Sequence, residues 1–439
     1  MASSYNRREF LGLGALATAG IIAGCSGNEK RRSMDPYVFL DKAVDGKELK
    51  AGLIGCGGRG TGASINFIDA GTGLSIHSLG DVFQDRIDGC RRKLKEERNV
   101  EIADENCFVG FDAFEKVIDS GVDVIILATP PYFRPEHFAA AVNAKKHVFM
   151  EKPVAVDPVG ARSVIASSKK AEALGLVVGT GTQRRHQRNY LDAWREVYNG
   201  KIGDIVGANV YWNQSELWYK TPQRGWTEME AMIRDWVNWS WLSGDHIVEQ
   251  HVHNLDVAFW FSENFPSRAV GFGSRHRRKT GDQYDNFSID YEFDDGMHVH
   301  SMCRQINGCE NNISEFLMGT NGYVNFGETT SIFDLKGQEI WKFNYPVDEK
   351  GEILWDQMMS PYLQEHIDLV TAIRTNKPFV EAENTAKSTL AAIMGRMSAY
   401  TGKAVTWDEA INSDLKVGPE KMAFGKVDID KTVPIPGNE

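Results

Sequence analysis

Cysteine is scarce in this chain, and its spacing is not that of a metal-binding framework. The 439 residues include six cysteines, none in a Cys-x-x-Cys pair, and their wide scatter fits no zinc-finger spacing. Cys303 and Cys309 are compatible with a disulfide in an oxidising compartment or with a coincidental pair of free thiols. The cysteine pattern therefore argues against a zinc-finger protein.

An excess of positive charge is also absent. The formal net charge is −11, from 49 Lys and Arg against 60 Asp and Glu. Binding to a nucleic-acid duplex needs concentrated Lys and Arg, so we expect no nucleic-acid partner. Hydrophobic residues make up 42% of the chain and charged residues 25%, which is ordinary for a soluble globular protein. At roughly 100–200 residues per domain, the length predicts two domains or a little more.

The N-terminus has no hydrophobic run long enough to span a bilayer. The apolar stretch at residues 11–22 is about a dozen residues long, where ~20 are needed. It follows Asn6-Arg7-Arg8-Glu9-Phe10-Leu11, which resembles a twin-arginine export signal, and it ends in Ile22-Ala23-Gly24-Cys25, which resembles a bacterial lipobox.

We therefore predict an export signal at residues 1–25 and a polar linker at residues 26–47. The protein would be exported to the periplasm and lipid-anchored at Cys25, and it would meet the membrane only through that anchor. The competing interpretation is a disordered basic tail.

A glycine-rich turn follows the first predicted strand. Residues 49–54 form a short apolar segment that continues directly into Gly55-Cys56-Gly57-Gly58-Arg59-Gly60. In this strand–turn–helix context, the GxGxxG spacing is typical of dinucleotide binding. The first glycine permits the tight turn, the second lets the backbone approach the pyrophosphate, and the third allows close helix–strand packing. A helix predicted at residues 61–70 directs its unpaired N–H groups toward the phosphates.

An acidic residue stands where this fingerprint expects one. A second strand is predicted at residues 74–79, and Asp81 follows Gly60 by 21 residues. A carboxylate at this position binds the ribose 2′-hydroxyl and repels a 2′-phosphate, so Asp81 favours NAD over NADP. Arg86 is near enough to keep NADP as an alternative. The competing interpretation is a glycine-rich turn with a surface aspartate.

Strands and helices continue to alternate after Asp81. Residues 122–129 form a nearly continuous apolar run, as expected of a parallel strand buried on both faces. A helix at residues 137–144 and a strand at residues 147–150 follow. This alternation predicts an α/β fold with an N-terminal Rossmann domain, a doubly wound parallel sheet, over residues 48–181.

Four candidate site residues lie at the ends of predicted strands. Ligands of such sheets bind at the carboxyl ends of the strands, so these four should converge on one crevice. They are Gly55, Asp81, Thr129 and Lys152.

Several motifs along this half of the chain belong together. They are Gly55-x-Gly57-x-x-Gly60, Ala128-Thr129-Pro130-Pro131, His137 and Lys146-His147-Val148-Phe149-Met150-Glu151-Lys152-Pro153. In combination they resemble the Gfo/Idh/MocA family of oxidoreductases, over essentially the whole chain from about Leu49. In that family the Glu-Lys-Pro step ends a strand beside the nicotinamide, and its lysine touches the substrate hydroxyl. The resemblance thus implies a catalytic and substrate-binding role for Lys152.

The glycine fingerprint and the resemblance together define the cofactor-binding residues that we predict. They are Gly55, Gly57, Gly58, Arg59, Gly60, Asp81, Thr129, Pro130, His137, Glu151 and Lys152. The resemblance also implies a second α/β domain at residues 182–439, with a large, mostly antiparallel open sheet that covers the nicotinamide. It further implies that the C-terminal helices pack back on the first domain and that the protein is a dimer or a tetramer.

The densest group of polar residues is the segment 243–256. In the family pattern a helix here carries an acid, a histidine four residues later and an aspartate three after that, which match Glu249, His253 and Asp256. Spacings of four and three keep these side chains on one helical face. The resemblance implies that His253, beside Lys152, accepts the hydroxyl proton as hydride leaves carbon. Glu249 would orient the histidine or hold a substrate hydroxyl, and Asp256 would bind substrate.

This segment departs from the family pattern. Glu249 stands where Asp is usual and His251 where Gly is usual, which puts any particular substrate in doubt. His246, Glu249 and His253 also have a spacing compatible with zinc. However, no HExxH motif is present and the resemblance already accounts for His253, so we predict no metal. A buried polar helix with satisfied histidines is a further alternative.

Aromatic residues are concentrated ahead of this segment. Aromatic rings stack on the C–H faces of sugars, which favours a carbohydrate site, although core packing is the default for each ring. The eight residues are Tyr211, Trp212, Trp218, Tyr219, Trp226, Trp236, Trp239 and Trp241. Arg184 and Arg185 follow a strand predicted at residues 176–180. We expect one of the two to face the pocket and bind substrate, and the alternative is a solvated or interface arginine. Of the two, we predict Arg184 as the substrate ligand.

The sequence thus predicts an NAD(P)-dependent dehydrogenase of a sugar, a sugar derivative or a cyclitol. Because the twin-arginine route carries folded proteins and free dinucleotide is scarce outside the cytoplasm, we expect the cofactor, NAD with NADP as the alternative, to be tightly bound. One rival is a glycosidase of the same fold that uses transient oxidation at C3 of the sugar. Another is a sugar-binding lipoprotein without catalytic activity.

Overall fold

The computed structural model describes residues 39–438 of the chain. The predicted export signal, the lipobox at Cys25 and most of the predicted linker lie outside the described residues. Within residues 39–438, no helix combines the length and the apolar character needed to cross a membrane.

Fifteen strands and thirteen α-helices form the fold in the described part of the chain. The strands are β1 (Leu49–Ile54), β2 (Leu74–Asp81), β3 (Cys107–Val109), β4 (Val124–Leu127), β5 (His147–Met150), β6 (Val178–Thr180), β7 (Ile205–Gln214), β8 (Arg268–Ser274), β9 (Asn286–Glu292), β10 (His298–Gln305), β11 (Asn312–Gly319), β12 (Gly322–Phe326), β13 (Thr330–Asp334), β14 (Glu339–Lys342) and β15 (Val405–Thr406). The helices are α1 (Gly58–Asp69), α2 (Gln84–Arg98), α3 (Ala113–Asp119), α4 (Arg134–Asn143), α5 (Pro158–Ala173), α6 (Arg188–Tyr198), α7 (Glu228–Arg234), α8 (Ser240–Ser243), α9 (His246–Glu249), α10 (Val252–Ser262), α11 (Pro361–Thr375), α12 (Ala382–Thr401) and α13 (Trp407–Asn412).

The first six strands form one parallel sheet. Their order is β3-β2-β1-β4-β5-β6, and all adjacent pairs are parallel. Every residue of β4 is buried, which explains why its sequence is apolar without alternation. The strand order reverses between β1 and β4, and a doubly wound sheet opens its ligand crevice at such a switch point. The predicted Rossmann sheet is thereby confirmed.

The remaining nine strands form a second sheet. Their order is β14-β13-β12-β11-β7-β10-β9-β8-β15, in which β7 and β10 are parallel and the other adjacent pairs are antiparallel. Residues along β9 alternate in burial, so that Phe287, Ile289 and Tyr291 enter a core shared with α10 and α12. The opposite face includes the exposed side chains of Phe272 and Met302. This is the large, mostly antiparallel open sheet that we predicted.

Two long helices, α11 and α12, follow β14. Helix α11 packs on α1, β5 and β6, and its Ile367 and Val370 are fully buried. Helix α12 contacts α5 of the first half as well as β8 of the second. Arg374 of α11 donates hydrogen bonds to the carbonyl oxygens of Val44 and Lys47, which ties the segment before β1 to the first sheet.

The polar segment 243–256 differs from its prediction. One helix was expected to carry Glu249, His253 and Asp256, but the chain forms α9, breaks at Gln250 and His251, and continues as α10. The break carries His251 into the interior, where its Nε2 lies 2.7 Å from Oγ of Ser301 on β10. The helix that the spacing predicted is therefore interrupted at the point where the His251 side chain is buried against β10.

The thiols of Cys303 and Cys309 are both free. Cys303 is buried in the core beneath the second sheet, whereas Cys309 is exposed. Of the two alternatives left open by the sequence, the structure contains the pair of free thiols.

Candidate active site

The glycine-rich turn joins β1 to α1 at the switch point of the first sheet. Gly55 has φ of +97°, and a Cβ there would lie 2.6 Å from the carbonyl carbon of Ala128. A Cβ on Gly60 would lie 1.9 Å from the oxygen of Gly55, so this position also requires glycine. In contrast, a Cβ on Gly57 or Gly58 would meet no described heavy atom within 4 Å. The loop therefore leaves an open approach to its backbone.

Helix α1 begins at Gly58, and its N-cap residue is Gly57. Because glycine has no side chain, the N-cap residue makes no side-chain hydrogen bond to the first N–H groups of the helix. The first N–H groups of a helix lack partners within the helix and favour an anion. The open approach and the uncapped helix both suit a pyrophosphate, so the chain fits the dinucleotide that its sequence predicts.

Asp81 ends β2 beside this turn. Its Oδ2 accepts a hydrogen bond from the main-chain N–H of Cys56 at 2.7 Å, and its Oδ1 accepts one from that of Phe83 at 3.0 Å. Burial raises the pKa of Asp81, and these two N–H donors oppose the rise. Both contacts fix the carboxylate at the mouth of the crevice, where Arg86 also lies.

A cavity of about 420 Å³ extends from the glycine-rich turn past Asp81. Its size is typical of small-molecule sites. Eight of the eleven predicted cofactor residues line it: Gly55, Gly57, Gly58, Arg59, Asp81, Thr129, Pro130 and His137. Gly60, Glu151 and Lys152 lie outside this lining.

His137 is buried within this wall and is stacked on Phe114, with 4.2 Å between the ring centroids. Burial lowers the pKa of His137 to about 3, so the imidazole is neutral at physiological pH. Its contribution to the cavity is therefore a flat uncharged ring.

Arg59 connects the glycine-rich turn to Glu151 and to helix α11. Its Nε donates to Oε1 of Glu151, its NH2 lies 3.6 Å from Oε2 of Glu365, and its guanidinium stands 4.7 Å from the ring centre of Tyr362. Burial and the nearby charge of Glu151 raise the pKa of Glu365 well above its ordinary value. Sequence reasoning missed Tyr362 and Glu365, because nothing in the pattern of an amphipathic helix distinguishes them.

Lys152 and Glu249 meet across the two halves of the chain. Nζ of Lys152, just after β5, donates to the main-chain oxygen of Glu249 at 2.5 Å and lies 3.2 Å from its Oε1. The side chains are 11% and 8% exposed, respectively. Nε2 of Gln250 donates to the second carboxylate oxygen of Glu249. Glu249 therefore holds the ammonium group rather than standing free for substrate.

His253 lies on α10 with its ring stacked on Trp212, at 5.5 Å between centroids and 22° between planes. Burial, followed by the positive charge of Lys152, lowers the pKa of His253 well below its ordinary value. The imidazole is thus neutral at physiological pH and able to accept a proton. Lys152 and Glu249 thus form a cation–carboxylate pair, and His253 is near enough for the charge of Lys152 to lower its pKa.

The two other predicted substrate ligands make internal ion pairs. Asp256 accepts hydrogen bonds from Nε and NH2 of Arg185 at 2.8 and 2.9 Å, and from Oγ of Ser388 at 2.7 Å. Arg184 donates to the buried carboxylate of Glu315 and lies 5.6 Å from the ring centre of Trp212. The contacts recorded for Asp256 and Arg184 are therefore those of structural pairs, and substrate binding by either stays a prediction.

The histidines considered as metal ligands have other partners. Nδ1 of His246 lies 3.0 Å from Oδ1 of Asp245, and the ring of His253 is stacked on Trp212. Within residues 39–438, no three or more His, Cys, Asp or Glu side chains are grouped so as to hold a metal ion.

The aromatic residues ahead of this segment divide into several environments. Trp241 is in the core, Trp212 stacks on His253, and Trp218 and Trp236 line the cavity on the side of Asp81. Two of the eight rings considered for a sugar site therefore face the nucleotide crevice.

Comparison with known proteins agrees with this architecture. Residues 49–196 match the Gfo/Idh/MocA family, described as an oxidoreductase family with an NAD-binding Rossmann fold. Residues 49–196 therefore carry the NAD-binding domain of this family, as their motifs indicated. It is 31% identical over 157 residues to the myo-inositol 2-dehydrogenase of Thermotoga maritima, an alignment that covers 35% of this chain and 42% of that protein.

More distant relatives extend the likeness. The scyllo-inositol 2-dehydrogenase (NAD(+)) of Bacillus subtilis is 22% identical over 299 residues, which cover 66% of this chain and 78% of that protein. The crystal structure of scyllo-inositol dehydrogenase from Lactobacillus casei with bound NAD(H) and scyllo-inositol matches with a TM-score of 0.61 and 19% identity, over 82% of this chain and 99% of that one. The first curated relatives are matched over only about half of their length, 42% and 58%.

Proposed function

We propose that this protein is an NAD(P)-dependent dehydrogenase that acts on a hydroxyl-bearing carbon of a sugar, a sugar derivative or a cyclitol. The observation that carries the proposal is the cluster of Lys152, Glu249 and His253, which stands at the end of β5 beside a glycine-rich nucleotide turn. The names of the relatives, which are inositol dehydrogenases, support the same substrate class.

The chain's own residues supply binding and proton transfer. Gly55, Gly57 and the start of α1 would hold the pyrophosphate, and Asp81 would bind the adenosine ribose, which favours NAD. A bound nicotinamide supplies the hydride acceptor or donor. The ammonium group of Lys152 would donate a hydrogen bond to the substrate oxygen and stabilise negative charge on it.

The neutral imidazole of His253 would take the hydroxyl proton. Glu249 would keep the Lys152 ammonium in place, since it holds that group through both its carboxylate and its main-chain carbonyl. The buried setting strengthens these interactions, because water screens them less.

The test is a spectrophotometric assay of purified protein with NAD⁺ or NADP⁺ and a panel of inositols, aldoses and anhydrosugars. We expect reduction of NAD⁺ by at least one cyclitol or sugar, and loss of that activity in Lys152→Met. Lys170→Met is the matched control, since the exposed Lys170 bonds only to Asn143 among the contacts shown. Release of sugar from aryl glycosides without net reduction of NAD⁺ would instead identify the glycosidase alternative.

We also propose that the protein is exported, is anchored by lipid at Cys25 and forms a homo-oligomer. The export proposal rests on the N-terminal motifs alone. The oligomer is supported by the apolar side chains on the open face of the second sheet, among them Phe272, which is 70% exposed. Light scattering of wild type and Phe272→Glu would test it, because a charge on that face should dissociate the assembly.

A further inference from the structure

The nucleotide cavity has a wall that comes from outside the Rossmann sheet. Residues 218–236 leave the second sheet after β7 and cross to the first half of the chain. Their side chains line the cavity together with Asp81 and Phe83. The residues of this segment that line the cavity are Trp218, Lys220, Ile233, Arg234 and Trp236. We call residues 218–236 the strap.

Arg234 fastens the strap to the start of helix α2. Its NH1 and NH2 donate to the two carboxylate oxygens of Asp85 at 3.1 and 2.9 Å. The guanidinium also stands 3.9 Å from the ring centre of Phe83, two residues beyond Asp81. A bidentate ion pair combined with a cation–π contact is more specific in geometry than an ordinary surface salt bridge. This latch joins the strap directly to the strand end that carries Asp81.

The C-terminal segment reinforces the strap from outside. Met229 of α7 donates its N–H to the oxygen of Gly425 at 3.0 Å, and the N–H of Val427 donates to the carboxylate of Glu228 at 2.7 Å. Phe424 packs on Phe83, at 6.0 Å between ring centroids. The same small hydrophobic core includes residues of both halves of the chain and of this final segment. The strap is therefore a packed element and not a free loop.

We propose that the strap is part of the cofactor site and retains the adenosine end of a bound dinucleotide between turnovers. This inference rests on the proposed function, because it requires that the cavity binds NAD(H). Lys220 and Arg234 bring basic side chains to the cavity lining, and Trp218 and Trp236 bring apolar surface. A dinucleotide enclosed on this side dissociates only when the strap moves away from the cavity. The strap should therefore affect mainly the dissociation rate of the dinucleotide.

The experiment measures release of NADH from the purified protein. Protein loaded with NADH is freed of excess ligand and mixed with excess NAD⁺, and the loss of bound-NADH fluorescence gives the dissociation rate. We expect Trp218→Ala and Arg234→Met each to raise this rate by about tenfold or more, which corresponds to the loss of one good contact. Arg98→Met is the matched control, because it removes another arginine–carboxylate pair, with Asp69, away from the cavity lining, and it should leave the rate unchanged.

The outcomes separate the two proposals. Trp218 is 46% exposed, so its variant tests the strap even if Arg234→Met fails to fold. Unchanged release from both variants, with wild-type affinity for NADH, overturns the strap and leaves the dehydrogenase proposal intact. A wild-type protein that binds neither NADH nor NADPH overturns both.

Discussion

The ammonium group of Lys152 and the carboxylate of Glu249 form a contact of 3.2 Å, although the two residues are 97 positions apart in the chain. Lys152 follows the last residues of β5 and Glu249 ends α9, so each half of the molecule supplies one partner. Both side chains are almost fully enclosed, so the pair is little screened by water. A charged pair is thereby fixed where the two halves of the chain meet.

We expect Glu249→Gln to lower kcat by about 10- to 100-fold, which is less than the ~10²- to 10⁴-fold contributed by an acid–base group itself, because Glu249 acts by positioning Lys152. The amide keeps the shape of the side chain but not its charge, so Lys152 loses the ion pair while the main-chain carbonyl still accepts its hydrogen bond. The dissociation constant of NADH, measured by fluorescence titration, should not change. The control is Glu97→Gln, in the exposed pair with Lys93, for which kcat should equal that of wild type.

The pH dependence of the reaction follows from His253. Burial and the charge of Lys152 hold its pKa well below the ordinary value of 6.5. Since we propose the neutral imidazole as the base, kcat/KM for oxidation should show no acid limb near pH 6.5 and should decline only in more acidic solution. His253→Asn should lower kcat by about 10²- to 10⁴-fold. An acid limb centred at or above pH 6.5 that persists in His253→Asn would assign the limb to another group.

Local patterns predicted the first sheet well. The predicted bounds of β1 and β5 are those of the structure, because short apolar runs there end at glycine or at Glu-Lys-Pro. The GxGxxG motif, Asp81 and Lys152 are likewise short-range signals that can be read from sequence. The Gfo/Idh/MocA resemblance then indicated the second sheet, whose strand β7 carries no obvious signal of its own.

Contacts between distant parts of the chain were not predictable in the same way. The break between α9 and α10 depends on Ser301, which lies 50 positions from His251. The pairing of Arg234 with Asp85 spans 149 positions and lies in the segment that brings Trp218 and Trp236 to the cavity. The periodicity of a sequence shows which face of a helix or strand a residue occupies, but not which distant residue it contacts. The contacts of His251 and Arg234 were therefore not predicted.

The glycine-rich turn offers a comparison between two neighbouring glycines. Gly57→Ala adds a methyl group into open space at φ of −71°, so the midpoint of thermal unfolding should remain that of wild type while NADH affinity falls. Gly60→Ala places its methyl group 1.9 Å from the oxygen of Gly55, and overpacking of this kind costs about 1–3 kcal/mol or more of stability. Equal NADH affinity in Gly57→Ala and wild type would show that the pyrophosphate does not approach this backbone.

Asp256 separates a structural role from a role in substrate binding. Its carboxylate meets two N–H groups of Arg185 and the hydroxyl of Ser388, and the arginine side chain is only 14% exposed. Asp256→Asn would leave this guanidinium charge buried without a counter-charge, and breaking a buried pair in this way costs about 3–5 kcal/mol. We therefore expect a large fall in the free energy of unfolding, measured in urea, with little change in the KM of the folded enzyme.

Asp192→Asn is the control, since the partly exposed Asp192 lies 3.4 Å from Arg195 and its loss should cost less than about 1 kcal/mol. If Asp256→Asn instead raised KM and left the free energy of unfolding unchanged, Asp256 would be the substrate ligand that the family pattern implies, and Arg185 would have to find another partner in the folded protein.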